Sequence, residues 1–248
     1  MRILGLDSAT PAASVALVDD GQLVAEEFYD KPKKHCENAS ASAKGNHAEI
    51  VLPLIQSILD RAQFSLNDLS GIAVSIGPGS FTGLRVALAT VKGIAYEWGL
   101  PVVGISSLHA NAARVTDADG FICSLLDARK REVYAALFFR AGESLTRLSE
   151  DKVLPVEGVI ELLRGAGATN CIIIGDGAKA YGNFLTSSLG AAVRMAAGAE
   201  YESVAAQVAK LSWGRFCAAS SDDLGALVPL YLSLSEAQSK RGQLSLTC

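Results

Sequence analysis

Two acids at the ends of apolar runs, and two glycine-bracketed turns, are the residues whose spacing could do chemistry. Ile3-Leu4-Gly5-Leu6 runs into Asp7, with Ser8 and Thr10 beside it, and Leu125-Leu126 runs into Asp127. Gly77-Pro78-Gly79-Ser80 and Gly175-Asp176-Gly177-Ala178 each stand between an apolar run and a helical stretch. A glycine-rich turn at a helix start exposes backbone N–H groups that can hold phosphate, and an acid opposite it could hold Mg²⁺ or a water. A lone Gly-x-Gly is usually just a strand-to-helix turn, and a lone Asp a cap. The paired arrangement makes a nucleotide or phosphate cleft of Asp7, Ser8, Thr10, Gly77, Gly79, Ser80, Asp127, Gly175 and Gly177 an expectation to test.

The elements that must position these residues follow from periodicity. Residues 2–7 are apolar and too short for a helix, so they read as a buried strand. Residues 14–18 and 23–29 read as two more, joined by an Asp19-Asp20-Gly21 hairpin turn. Residues 31–46 are polar and low in complexity and read as a loop. From His47 to Ala62, Ile50, Val51, Leu54, Ile55, Ile58, Leu59 and Ala62 recur at helical spacing, with Leu52 off that stripe. Residues 71–76 form a strand, 81–98 a helix with small residues at Gly83, Ala87, Ala89 and Gly93, 101–105 a strand, and 107–113 a further helix.

The second half repeats this syntax. Residues 121–128 echo 3–8 as apolar strands closing on Leu-Asp-small. Residues 133–137 correspond to 15–17, and Cys171-Ile172-Ile173-Ile174-Gly175 to Ala73-Val74-Ser75-Ile76-Gly77. The expected fold is α/β: two related subdomains, each a mixed sheet opened by an antiparallel three-strand meander and flanked by helices. The expected boundaries are 1–105 and 106–232, with a polar tail at 233–248.

Composition bounds the function. The chain has 248 residues, 50% hydrophobic and 19% charged, which suits a full core and excludes global disorder. A net charge of −4 argues against nucleic-acid binding by overall charge. No long uncharged apolar run could span a membrane, and Asp7 interrupts what would be a signal peptide's apolar stretch, so a cytoplasmic location is expected. Five dispersed cysteines without a C-x-x-C pair, and three dispersed histidines, give no basis for a disulfide frame or a metal site.

The two-fold pattern resembles the actin-like (RNase H-like) ATPase superfamily. Within it, Ile3-Leu4-Gly5-Leu6-Asp7-Ser8-Ala9-Thr10 with Ser14-Val15-Ala16-Leu17 is similar to the opening of the TsaB family, which acts in synthesis of threonylcarbamoyladenosine in tRNA. Gly77-Pro78-Gly79-Ser80-Phe81-Thr82-Gly83-Leu84-Arg85 is similar to that family's most distinctive string. Leu126-Asp127-Ala128-Arg129-Lys130-Arg131-Glu132-Val133-Tyr134 and Pro229-Leu230-Tyr231-Leu232 also resemble family motifs. The related transferase TsaD carries an H-x-x-x-H metal motif on its first helix; here His47 is followed by Val51 where the second histidine would stand. Kinases of the superfamily carry Asp-x-Gly-Thr/Ser after the first strand, whereas this chain has Ser8 at the glycine place.

The resemblance implies a non-catalytic partner of a TsaD-like transferase, acting with a TsaE-like ATPase. Their joint product is the threonylcarbamoyl group on N6 of adenosine 37 in tRNAs reading codons that start with A. It further implies tRNA contact through the complex, no tightly bound cofactor or metal, ATP or ADP at the complex interface, and a homodimer as a form of the free chain. The alternatives are a stand-alone actin-like ATPase or small-molecule kinase using Asp7 and Asp127 around Mg-ATP, and a metallopeptidase, against which the missing second histidine argues. The expected partner surface lies on helices 47–62 and 81–98, centred on Leu54, Ile58, Gly83 and Ala87.

Overall fold

Apolar residues on both faces of the first strand demand a layer of helices on either side, and the computed structural model supplies them. It describes residues 1–29, 47–196 and 203–232; the polar loop 31–46 and the tail 233–248 lie outside the described residues. Strands β1 (Arg2–Asp7), β2 (Ala13–Asp19) and β3 (Gln22–Tyr29) form the antiparallel meander. Helix α1 (His47–Ala62) leads to β4 (Gly71–Gly77), α2 (Phe81–Trp98), β5 (Val102–Ser106) and the short α3 (Ser107–Ala113). β4 and β5 run parallel to β1, giving the order β3-β2-β1-β4-β5.

The second half has β6 (Gly120–Arg129), β7 (Glu132–Ala141), β8 (Ser144–Arg147), β9 (Lys152–Pro155), α4 (Val156–Gly165), β10 (Cys171–Ile174), α5 (Asp176–Leu189), β11 (Val193–Met195) and α6 (Val204–Cys217). Its sheet order is β8-β7-β6-β10-β11, with β9 paired to β7. Element for element this is the order of the first sheet, so the expected duplication holds in three dimensions.

Helices α1 and α2 cover one face of the first sheet, where Leu4, Leu6, Val15, Leu17, Ile72 and Val74 meet Leu54, Ile58, Ala87 and Val91. This corrects the expected partner surface. Ile58 and Ala87 are 0% exposed and Leu54 is also buried. The stripe on α1 is wide because the helix packs on β2, β3 and α2 at once, not because a second protein covers it. Gly83 is likewise an intramolecular contact.

The expected boundary at residue 106 is also corrected. α6 comes after the second sheet but packs on β1, β2 and β4 of the first, where Ile3, Ala73 and Val103 meet Val208 and Ala209. Gly5 makes this possible: a β-carbon there would stand 2.2 Å from the Ala205 carbonyl oxygen. The chain then returns along the first lobe, with Asp222 N–H donating to the Val102 carbonyl and Leu230 N–H to the Ile76 carbonyl. α3 crosses the other way, placing Leu108 and Ala112 against Ile122, Phe138 and Ile172 of the second sheet. Each lobe thus lends a helix to the other, and α3 and α6 meet between the sheets. α4 and α5 cover the far face of the second sheet.

Candidate functional site

Parallel strands that end at the same edge leave their carboxyl ends facing a crevice, where ligands of open α/β sheets are held. Between the two lobes lies a cavity of about 430 Å³, lined by Asp7, Thr10, Glu26, Asn111, Arg114, Gly175, Asp176 and Lys179 among others. Of the nine expected cleft residues, Asp7, Thr10 and Gly175 line it, and Ser8, Gly77, Gly79, Ser80, Asp127 and Gly177 do not.

Asp7 is the floor. It closes β1, is 4% exposed, and its Oδ1 has no hydrogen-bond partner among the described residues. Burial pushes its carboxyl up to about 6, against the opposing influence of the Ser75 hydroxyl and the Ala9 N–H. Thr10 Oγ1 donates to the Ala12 carbonyl at 3.3 Å.

The first glycine turn does not line the cavity. Ser80 N–H, one of the helix-start donors a phosphate would use, already donates to the Ala9 carbonyl at 2.6 Å. Gly79 has φ +157°, and a β-carbon there would stand 2.3 Å from that same oxygen. Gly83 N–H goes to the Ser80 hydroxyl, the N-cap of α2. The Ser8 hydroxyl donates to the Gly83 carbonyl at 2.7 Å, so its side chain points into α2 rather than into the phosphate position. Ser8, which stands where kinases carry glycine, turns its side chain away; it is the backbone of residues 8–9, pinned by that hydroxyl, that closes the turn. Gly77, at φ +111°, admits the passing Leu230 carbonyl, 2.9 Å from where its β-carbon would be.

In the second lobe, Gly175 and Gly177 let the start of α5 press onto β6. A β-carbon on Gly175 would stand 2.0 Å from the Leu125 carbonyl oxygen, and one on Gly177 would be 2.9 Å from the Leu126 carbonyl carbon. The expected pairing of Asp7 with Asp127 across the cleft is corrected. Asp127 is exposed and turned into its own hairpin, where Oδ1 accepts from Arg129 N–H at 2.8 Å and from the Tyr181 hydroxyl at 3.4 Å. The cavity acid on the second lobe is Asp176, whose Oδ1 accepts from Asp127 N–H at 3.0 Å. Burial raises its pKa, against the lowering influence of the Asp127 N–H. A carboxylate therefore sits in the first turn of α5, where an incoming phosphate would otherwise benefit from the helix dipole.

Sequence reading missed Glu26, Asn111, Arg114, Asp176 and Lys179. Glu26 accepts from Ser203 N–H, the start of α6. Asn111 donates to the Ser124 hydroxyl and accepts from Arg114. Asp176 had a signal, as the acid inside Gly175-Asp176-Gly177, and Asn111 had another, as a polar residue among the alanines of residues 107–113. The others have none, because strand alternation and helix pattern do not say which exposed residue faces the opposite lobe.

Among the described residues no three or more His, Cys, Asp or Glu side chains group to hold a metal. Val51, at the place of a second histidine, is buried in the first core. Burial takes His109 down to about 4, and its ring stacks on Phe138 at 5.4 Å. Cys123 and Cys171 are buried free thiols. No helix of the described residues is long and apolar enough to cross a membrane.

Residues 39–225 match a family model described as TsaD: tRNA N6-adenosine threonylcarbamoyltransferase. The Haemophilus influenzae protein named tRNA threonylcarbamoyladenosine biosynthesis protein TsaB is 31% identical over 200 residues, 76% of this chain and 78% of that one. The chain belongs to the TsaB family. The Bacillus subtilis TsaB is 27% identical over 240 residues, 97% of each chain. The crystal structure of an uncharacterized protein with similarity to peptidase YEAZ from Pseudomonas aeruginosa covers 94% of this chain and 99% of its own, with 25% identity and a TM-score of 0.74. YeaZ from Pseudomonas aeruginosa superposes with a TM-score of 0.69 over 93% of this chain. The TsaB fold here is the expected actin-like one, two related α/β lobes about a cleft.

Proposed function

We propose that the chain is a non-catalytic subunit that partners a TsaD-type transferase in making the threonylcarbamoyl group on N6 of adenosine 37, in tRNAs reading codons that start with A. The observation that carries the non-catalytic part is the closed phosphate position: Ser80 N–H is capped by the Ala9 carbonyl, and Asp176 occupies the opposite helix start. Family membership supports the choice of partner. On this reading a TsaE-like ATPase completes the complex, tRNA is held mainly by the partners, and ATP or ADP is held at the complex interface rather than by this chain alone. On the same reading the chain needs no resident metal.

The partner surface moves to the outward side of the same two helices. Leu52 and Gln56 on α1 and Ala89, Gly93 and Tyr96 on α2 are exposed, with Tyr96 at 84%. Small residues at Ala89 and Gly93 allow close helix approach, and a two-fold pairing of the free chain would use the same patch. The test is reconstitution of the modified nucleoside from transferase, ATPase, ATP, threonylcarbamoyl donor and unmodified tRNA, with and without this chain. Formation that depends on the chain supports the proposal. Equal formation without it overturns the partner role, and ATP turnover by the lone chain near about 1 s⁻¹, abolished by Asp7→Ala, overturns the non-catalytic role.

A further inference from the structure

Among the described residues three hairpins are closed by two residues each, and the two in which both turn residues have positive φ are filled in opposite ways. Between β2 and β3, Asp19 pairs with Gln22, and the turn residues are Asp20 at φ +46° and Gly21 at φ +80°. Asp-Gly is among the pairs that tolerate two positive φ angles best. Between β6 and β7, Arg129 pairs with Glu132, and the turn residues are Lys130 at φ +51° and Arg131 at φ +62°. Arg129, beside the register shift that follows Asp127, is itself at φ +67°. Three consecutive basic residues thus hold a left-handed backbone that disfavours any side chain with a β-carbon.

Packing accounts for Arg131 alone, whose guanidinium lies over the Phe184 ring at 5.9 Å. All three side chains are exposed. Arg131 makes an exposed pair with Glu157, while Arg129 and Lys130 make no ion pair among the described residues. The backbone is held from below, by Asp127 on Arg129 N–H and by the Arg131 carbonyl accepting from Val156 N–H. The tip is braced at its backbone and presents Arg129 and Lys130 to solvent, with Arg131 resting by Phe184. Protein interfaces are depleted in lysine and built around apolar or aromatic centres, whereas phosphate backbones are met by exposed Arg and Lys on a fixed frame. With a net charge of −4, the chain as a whole repels a polyanion, so attraction has to come from such a local contact.

We propose that the Arg129-Lys130-Arg131 hairpin tip is a contact for the phosphate backbone of RNA, and that within the function proposed above the RNA is the tRNA under modification. The contact is independent of sequence and adds to the binding supplied by the partners.

The test uses an unmodified tRNA transcript, with binding to the lone chain and to its mixture with the transferase followed by filter retention from about 50 to about 200 mM salt. Two variants are compared. Arg129→Ala/Lys130→Ala removes two charges. Lys130→Asn/Arg131→Gly also removes two but supplies residues the turn prefers, so it should raise the melting temperature while weakening RNA binding. Both should weaken binding about 5- to 20-fold at low salt and lower the slope of log K against log salt by about 1 to 2. Affinity within about twofold and an unchanged slope overturn the proposal, as does weaker transferase binding in the absence of RNA, which would make the tip a protein contact. If the chain and transferase do not associate at all, the function proposed above fails. The lone chain's retention of the transcript then decides: dependence on the tip sustains the contact, and its absence overturns it.

Discussion

Ser8 and Gly83 are fastened face to face: the Ser8 hydroxyl donates to the Gly83 carbonyl at 2.7 Å, and the Ser8 carbonyl oxygen stands 2.0 Å from where a Gly83 β-carbon would be. Both atoms of the clash are backbone or anchored to it, so neither can swing away. Gly83→Ala should therefore destabilise the lone chain by about 1–3 kcal/mol, lowering the melting temperature by about 2–4 °C for each kcal/mol at this size. Gly93 lies on the same helix with nothing within 4 Å of its would-be β-carbon. Gly93→Ala should leave stability unchanged or raise it by up to about 1 kcal/mol. Thermal melts of the two variants side by side check this; equal melting would show that the fold yields at Ser8.

Asp7 should leave a pH signature with the reverse sign of an ordinary ion-paired acid. Its folded pKa, about 6, lies above the value of 3.8 for a free Asp. The folded state then binds the proton more tightly, so Asp7 costs nothing below about pH 4, and the cost grows as pH rises through the folded pKa. Above that it is constant at about 3 kcal/mol, from about two pKa units. Asp7→Asn should accordingly melt higher than the parent at pH 7.5, with the difference fading toward pH 4. A difference that is flat across this range would mean that Asp7 is solvated in the cleft.

Most of the frame was legible from residues alone. Strand residues 2–7, the helix limits 47–62, 81–98 and 107–113, and the repeat of Leu6-Asp7 in Leu126-Asp127 all reappear in the structure. These signals are local, since periodicity and turn chemistry act over a few residues. What failed was long-range. Ala205 and Ala209 give no sign that they belong on Gly5 of the opposite half. A stripe containing Leu54 and Ile58 reads alike whether a sheet, a sister helix or a second protein covers it. Asp127 looked equivalent to Asp7 until the backbone of Arg129 showed where its carboxylate is used.

Asp151 ties the lobes together at the edge of α3. It accepts from the Ser106 hydroxyl at 2.7 Å, at the end of β5, and pairs with Arg147 of β8, which also donates to the Ser106 oxygen at 3.1 Å. The Arg147 guanidinium lies over the Phe138 ring at 4.8 Å. Asp151→Ala leaves this half-buried cation unpaired, so it should cost about 1–3 kcal/mol, lowering the denaturation midpoint with little change in slope. An unchanged midpoint would mean that solvent replaces the carboxylate without loss.

The two sides of α2 should respond in opposite ways to the same insult. Ala87 is fully buried against the first sheet, whereas Ala89 is exposed on a face shared with Gly93. An arginine at 87 would bring an unpaired charge and several methylenes into a packed core, so Ala87→Arg should unfold the chain or lower its melting temperature by well over about 10 °C. At 89 the arginine has open solvent in the lone chain, and Ala89→Arg should melt like the parent. In the complex, however, the same side chain would stand between helices that need small residues to approach. Ala89→Arg should then weaken association with the TsaD-type transferase by at least about 100-fold, since burial of one unpaired charge costs several kcal/mol. Calorimetric titration of the transferase with each folded variant reads this directly. Unchanged affinity for Ala89→Arg would move the partner surface off α2, and leave the exposed rings of Phe81 and Tyr231, 5.1 Å apart, as the next apolar patch to mutate.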